Sequence, residues 1–295
     1  MNGKHVVLLS VVLVCGLMSS ACANADLRTG TLEALGAQPS KDNAAQARAV
    51  LQATAERHGV DAWRQYSTAE VIMRDDWDSV LASVLGLEPW DEEDLIQMRY
   101  EPGSFDIRVD FIDGPRKGEA MGLQSWKTYG RSAQQEPLAF GEVEHADFVL
   151  PAIVYLAELP FRVAQAPVLA YHGQEEVDGR VYDVVMATWG SLEPNDQHDQ
   201  YLMWIDTNTD TLTMVDHTVR EQGGFFSSRT IYEDYRDVQG VLVAHRLTIV
   251  DRGETSTDGY LHQIHVESAA FDAFPAAWLH PDQQLKPMGD AKASR

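Results

Sequence analysis

Three small groups of residues in this chain have types and spacings that can do chemistry. Asp206, Asn208 and Asp210 alternate as the first ligands of a calcium loop do. The sixth position of that loop is Thr211 where glycine is needed, and the twelfth is His217 where glutamate is needed, so the segment reads as a hairpin turn. His262 and His265 would share a metal on a helix. On a strand they face opposite sides, and the segment reads as a strand. Asp196, His198 and Asp199 form a polar cluster with metal or hydrolase potential, in a stretch that reads as a solvated loop. The chain has no G-x-S-x-G, G-x-G-x-x-G, Walker A, H-E-x-x-H or C-x-x-C pattern. Catalytic residues, metal ligands and cofactors are therefore assigned to none. A scattered hydrolytic pair built on His198 or His245 stays as an alternative, because a triad needs no sequence contiguity.

Charge narrows the field further. The 295 residues carry 45 acidic against 23 basic side chains, a net charge of −22. Nucleic-acid binding needs a basic face for phosphates, and docking on anionic membranes needs one too. Neither partner is expected. Hydrophobic residues make up 44% of the chain, which is globular composition and enough for one large core.

The N-terminus reads as an export signal. Lys4 supplies a positive start, and residues 6–18 are uncharged and apolar but too short to span a bilayer. Small residues follow and allow two cleavage readings. Ser20-Ala21-Cys22 resembles the end of a bacterial lipobox, with Cys22 as the lipidated residue, although Ser19 stands where leucine is usual. Ala23-Asn24-Ala25 offers an A-x-A site for ordinary cleavage before Asp26. Both cysteines, Cys15 and Cys22, lie in this region, so the mature body has no disulfide and no thiol chemistry. Residue 23 is Ala rather than the Asp that retains enteric lipoproteins in the inner membrane, which leans towards the outer one.

The elements that must position any site follow from periodicity. The expected plan is a signal peptide over 1–25, a flexible tether over 26–40, one domain over 41–280 and a disordered tail over 281–295. Ser40 caps a helix whose face is Ala44, Ala47, Val50, Leu51 and Thr54, with Gly59 beyond its end. An extended segment spans 66–74, a second helix is expected over 76–85, and a third over 144–158. Segments 94–100, 104–112 and 119–127 read as strands, and 128–141 as a polar loop. From Pro167 onward, strands follow one another: 168–176, 180–189, 201–205, 212–219, 226–235, 242–250 and 260–267. That order implies an antiparallel meander. Strands 180–189 and 201–205 are apolar on both faces, so both must be covered, or one must line a pocket.

Two phrases carry a resemblance. Tyr201-Leu-Met-Trp-Ile-Asp206, a Thr/Asn turn and Leu212-Thr-Met-Val215 form one hairpin. Tyr232-Glu-Asp-Tyr235-Arg-Asp-Val238-Gln-Gly240-Val-Leu-Val243 forms another strand-turn-strand, with Ala244-His245 in place of the more usual Pro-His. With the element order, these phrases resemble the LolA/LolB-like lipoprotein carriers over roughly 41–270. The resemblance implies an α+β fold: a strongly curved antiparallel sheet, an unclosed barrel, with helices on its concave side. It also implies an apolar cavity able to hold a lipid or lipoprotein acyl chain, in an exported periplasmic protein that meets the membrane only through an N-terminal anchor. The cavity is expected at Val71, Met73, Val184, Met186, Trp189, Met203 and Trp204. The competing reading is an envelope scaffold that binds another envelope protein and no small ligand.

Overall fold

The computed structural model describes residues 24–78, 88–133, 137–222, 224–286 and 288. Alternating apolar and polar side chains put most of this chain into strands, because only a pleated strand sends successive residues to opposite faces. Among the described residues there are thirteen: β1 (Ala69–Trp77), β2 (Leu95–Tyr100), β3 (Ile107–Asp113), β4 (Ala120–Gln124), β5 (Lys127–Arg131), β6 (Ala139–Phe140), β7 (Val168–Val177), β8 (Arg180–Thr188), β9 (Gln200–Asp206), β10 (Leu212–Thr218), β11 (Ser227–Val238), β12 (Val241–Asp251) and β13 (His262–Phe271). They form one sheet in the order β6-β5-β4-β3-β2-β1-β13-β12-β11-β10-β9-β8-β7. Every neighbouring pair is antiparallel. The last strand pairs with the first, so two meanders meet at the centre and the edges, β6 and β7, stay apart. The sheet is curved and unclosed.

Among the described residues the α-helices are α1 (Thr31–Ala34), α2 (Lys41–Arg57), α3 (Val60–Trp63), α4 (Ala146–Ala157) and α5 (Leu159–Arg162). The Ser40 side chain accepts from the Asn43 N–H at 3.3 Å and starts α2, as the sequence predicts. Helix α2 packs on β7 and β8, whereas α4 packs on β3, β4 and β5. The chain from β6 to β7 thus crosses the hollow of the sheet through α4 and α5, and the helices fill the trough between its two wings. Glycine closes one seam. A Cβ on Gly59, at φ 87°, would lie 2.0 Å from the Gly240 carbonyl oxygen, so the α2–α3 corner sits directly on the β11–β12 turn.

The structure departs from the sequence reading in three places. Asp76 and Trp77, expected in a helix over 76–85, end strand β1. Their apolar face suits either element, and pairing with β13 decides. Residues 79–85 of that expected helix lie outside the described residues. The polar loop over 128–141 instead contains most of β5 and all of β6; β5 is held by Tyr129, whose ring lies against Gly122 of β4 and whose hydroxyl donates to the Ile107 and Leu279 carbonyls at 3.2 and 2.8 Å. Residues 26–40 do not hang free. Leu27 and Leu32 are fully buried, and the segment straps across the face of the sheet opposite the long helices. The signal region with Cys15 and Cys22 lies outside the described residues.

Candidate ligand cavity

The two-faced strands explain the strap. On β8, Val185 and Ala187 join the main core under the helices, while Tyr182, Val184 and Met186 join a second cluster with Leu27 and Leu32. On β9, Met203 and Ile205 face the main core and Leu202 and Trp204 face the strap. Both faces are covered, so neither needs a pocket. Hydrogen bonds lock the strap down: Leu27 N–H donates to Gln200 Oε1 at 2.9 Å, and Arg220 donates to the Ala25 carbonyl at 2.8 Å.

The cavity lies instead at the centre of the sheet. It has a volume of about 60 Å³ and is walled by five adjacent strands, β2, β1, β13, β12 and β11, with α3, α4 and α5 across its top. Its wall is mostly apolar, with Val71, Met98, Ile153, Phe161, Leu247 and Ile264 among its members. Of the seven residues expected to line it, Val71 and Met73 do so. Val184, Met186 and Trp204 lie on the opposite face under the strap, and Trp204 donates to Glu175 Oε2 at 2.9 Å. Met203 and Trp189 lie on the helix side but away from the cavity; Trp189 meets the rings of Tyr155 and Tyr201 at 6.1 and 5.9 Å.

Several polar groups at the cavity's edge have partners in the chain. Glu158, fully buried at the end of α4, accepts from Trp63 Nε1 at 3.0 Å and from the Gly103 N–H at 3.1 Å. It pairs with Arg162 at 2.7 Å, and Arg162 also donates to the Ser104 carbonyl at 2.7 Å. Burial pushes the Glu158 carboxyl up to about 7, against the downward pull of Arg162, Gly103 and Trp63. His58 Nε2 accepts from the Leu212 N–H at 3.2 Å, and burial lowers this imidazole to about 4. Tyr232 and Tyr235 donate to the Leu156 and Leu212 carbonyls at 3.1 and 2.8 Å. These groups were not singled out in the sequence for the cavity. The available signal was the Glu158/Arg162 spacing of four on a helical stretch. These are anchoring contacts: they tie the helices to the rim of an apolar hollow.

The groups first weighed for chemistry have structural work. Asp206 Oδ1 accepts from the Asn208 N–H at 2.8 Å, and Asp210 is in the left-handed region at φ 55°, which makes 206–211 a turn. His262 bonds Asp75 at 2.8 Å and stacks on Trp77 at 4.1 Å. Asp199 accepts from Thr218 Oγ1 and from the Arg220 N–H, both at 2.9 Å, and the His198 ring lies against Gly190. His245 Nδ1 bonds the Val266 carbonyl at 2.9 Å.

No protein-family model and no curated protein matches this sequence. Solved structures do. A domain described as an outer membrane lipoprotein-sorting protein from Vibrio parahaemolyticus is similar with a TM-score of 0.52 at 10% identity, over 81% of this chain and 97% of that one. A DUF1329 family protein from Desulfovibrio piger has a TM-score of 0.52 at 9% identity, over 80% and 97%. A LolA superfamily protein from Nitrosomonas europaea has a TM-score of 0.48 at 11% identity, over 80% and 98%. At such identities the likeness speaks for the fold, and in fold this chain is LolA-like.

Proposed function

We propose that this protein is a non-enzymatic, exported binding protein of the cell envelope that takes an apolar chain, a lipid or lipoprotein acyl group, into the hollow of its sheet. The observation that carries the reading is the apolar cavity between the sheet centre and the helices. The likeness to a domain described as lipoprotein-sorting supports it. A dry cavity of about 150 Å³ accepts benzene, and ligand pockets run to about 300–1,000 Å³. At about 60 Å³ the cavity is closed to an acyl chain, so loading requires the cover of α3, α4 and α5 to move away from the sheet centre. Anchoring through Cys22 belongs to the same reading.

The test is native mass spectrometry of the protein straight from purification and after exposure to phospholipid vesicles. The expected result is a bound mass that releases fatty acid or phospholipid on denaturation, reduced in Ala157→Phe, which adds bulk at an exposed residue of the cavity lining. A bare chain mass under both conditions refutes it. The small cavity favours a second reading, an envelope scaffold with no small ligand, which that outcome would leave standing.

A further inference from the structure

We propose that Glu101, Asp106 and His280 form a binding site for one divalent transition-metal ion, with Zn²⁺ as the fitting probe. Glu101 and Asp106 flank the turn between β2 and β3. His280 follows the short helical turn Ala276–Leu279, which lays the C-terminal segment across the same hairpin. One ligand atom from each residue lies within 4.8 Å of the other two. His280 Nε2 is 3.2 Å from Asp106 Oδ2 and 3.6 Å from Glu101 Oε1. Ligands at about 2.0–2.1 Å from a tetrahedral Zn²⁺ are about 3.4 Å apart, so both distances to His280 are within a few tenths of an ångström of that spacing, and the two carboxylates lie within 4.8 Å of each other.

A second observation points the same way. The Asp106 side chain is 1% exposed, and its Oδ2 meets the imidazole at ion-pair distance without making a hydrogen bond of good geometry. His280 Nε2 is buried and without one as well. Buried polar atoms are rarely left so, and an ion between them would satisfy both. The rest of Asp106 is already held. Its Oδ1 accepts from the Ser125 N–H at 2.8 Å, and its backbone N–H donates to Ser104 Oγ at 3.0 Å. Such outer contacts orient a ligand carboxylate. One imidazole nitrogen with two carboxylate oxygens suits Zn²⁺ and its neighbours better than Ca²⁺ or Mg²⁺, which prefer oxygen alone. Three protein ligands leave a fourth position for water. The ion would clip the C-terminal segment to the hairpin whose Gly103 and Ser104 hold Glu158 and Arg162.

The experiment is calorimetric titration of the chelator-treated full-length protein with Zn²⁺, with thermal unfolding read in parallel. One Zn²⁺ per chain is expected, with a raised unfolding midpoint. Asp106→Asn and His280→Gln should weaken binding by about 100-fold or more, beyond the 10–100-fold that loss of an outer partner costs. Should Asp106→Asn fail to fold, Glu101→Gln and His280→Gln decide, since both positions are nearer the surface. Folded native protein that takes up no Zn²⁺, or uptake that persists unchanged in the folded variants, overturns the proposal.

Discussion

Replacing Arg162 with Met would test how the cavity rim is held. Glu158 and Arg162 have side chains 1% and 3% exposed, with an ion-pair distance of 2.7 Å. At an effective dielectric of about 20, their attraction is roughly 6 kcal/mol, much of it offset by desolvation. Removing one partner of such a pair destabilises by about 3–5 kcal/mol, because the other charge stays buried. For a protein of this size that corresponds to an unfolding midpoint lower by about 6–20 °C. The loss should depend on pH. Glu158 titrates near 7 in the folded chain, above its ordinary range, so its ionisation removes stability as pH rises from about 4.5 to 7. At pH 5 the carboxyl is mostly neutral, and Arg162→Met leaves no charge stranded. At pH 8.5 it does. Urea unfolding at both pH values is the assay, with unchanged m-values as the check on two-state behaviour. The double variant Glu158→Gln/Arg162→Met should lose less than Arg162→Met alone at pH 8.5, since glutamine still accepts from Trp63 and Gly103. A single-variant loss below about 1 kcal/mol at pH 8.5, equal losses at both pH values, or simple additivity in the double variant would refute the reasoning.

Two further outcomes follow from the same coordinates. Leu32→Ala should cost about 2–5 kcal/mol in urea unfolding if the N-terminal strap is part of the fold, whereas a free tether would register within about 0.5 kcal/mol. His58 is buried neutral with a folded value of about 4, below the ordinary imidazole range, so it contributes stability that is lost as pH falls from 6.5 to 4, up to about 3 kcal/mol. Compared across that window, His58→Gln should lose less of its urea midpoint than the native chain; equal losses would mean His58 is not the group.

Much of the fold was legible because strands of this kind announce themselves locally. Phe105, Ile107, Val109 and Phe111 alternate with charged residues, and Ile107, Val109 and Phe111 fall in β3. The 177–179 turn joins β7 to β8 as its Asp178-Gly179 pair suggests, with both residues at positive φ. The alternation on β8 and β9 called for cover on both faces or a pocket on one, and the structure covers both. What covers the second face was hidden, because Leu27 and Leu32 sit in a short, small-residue segment whose periodicity is too brief to read. That is why Val184, Met186 and Trp204 were expected around a ligand and are found under the strap.

Composition, charge and period-2 patterning settled on their own that this is an acidic, mainly antiparallel protein with an α2 capped by Ser40, since each of those rests on neighbours in the chain. Tertiary structure alone decided the closure of β1 on β13, the cavity between the sheet centre and α3–α5, and the meeting of Glu101, Asp106 and His280. Each of these joins residues far apart in sequence, where the pairing energy depends on which surfaces the whole sheet brings face to face, and no local pattern encodes that.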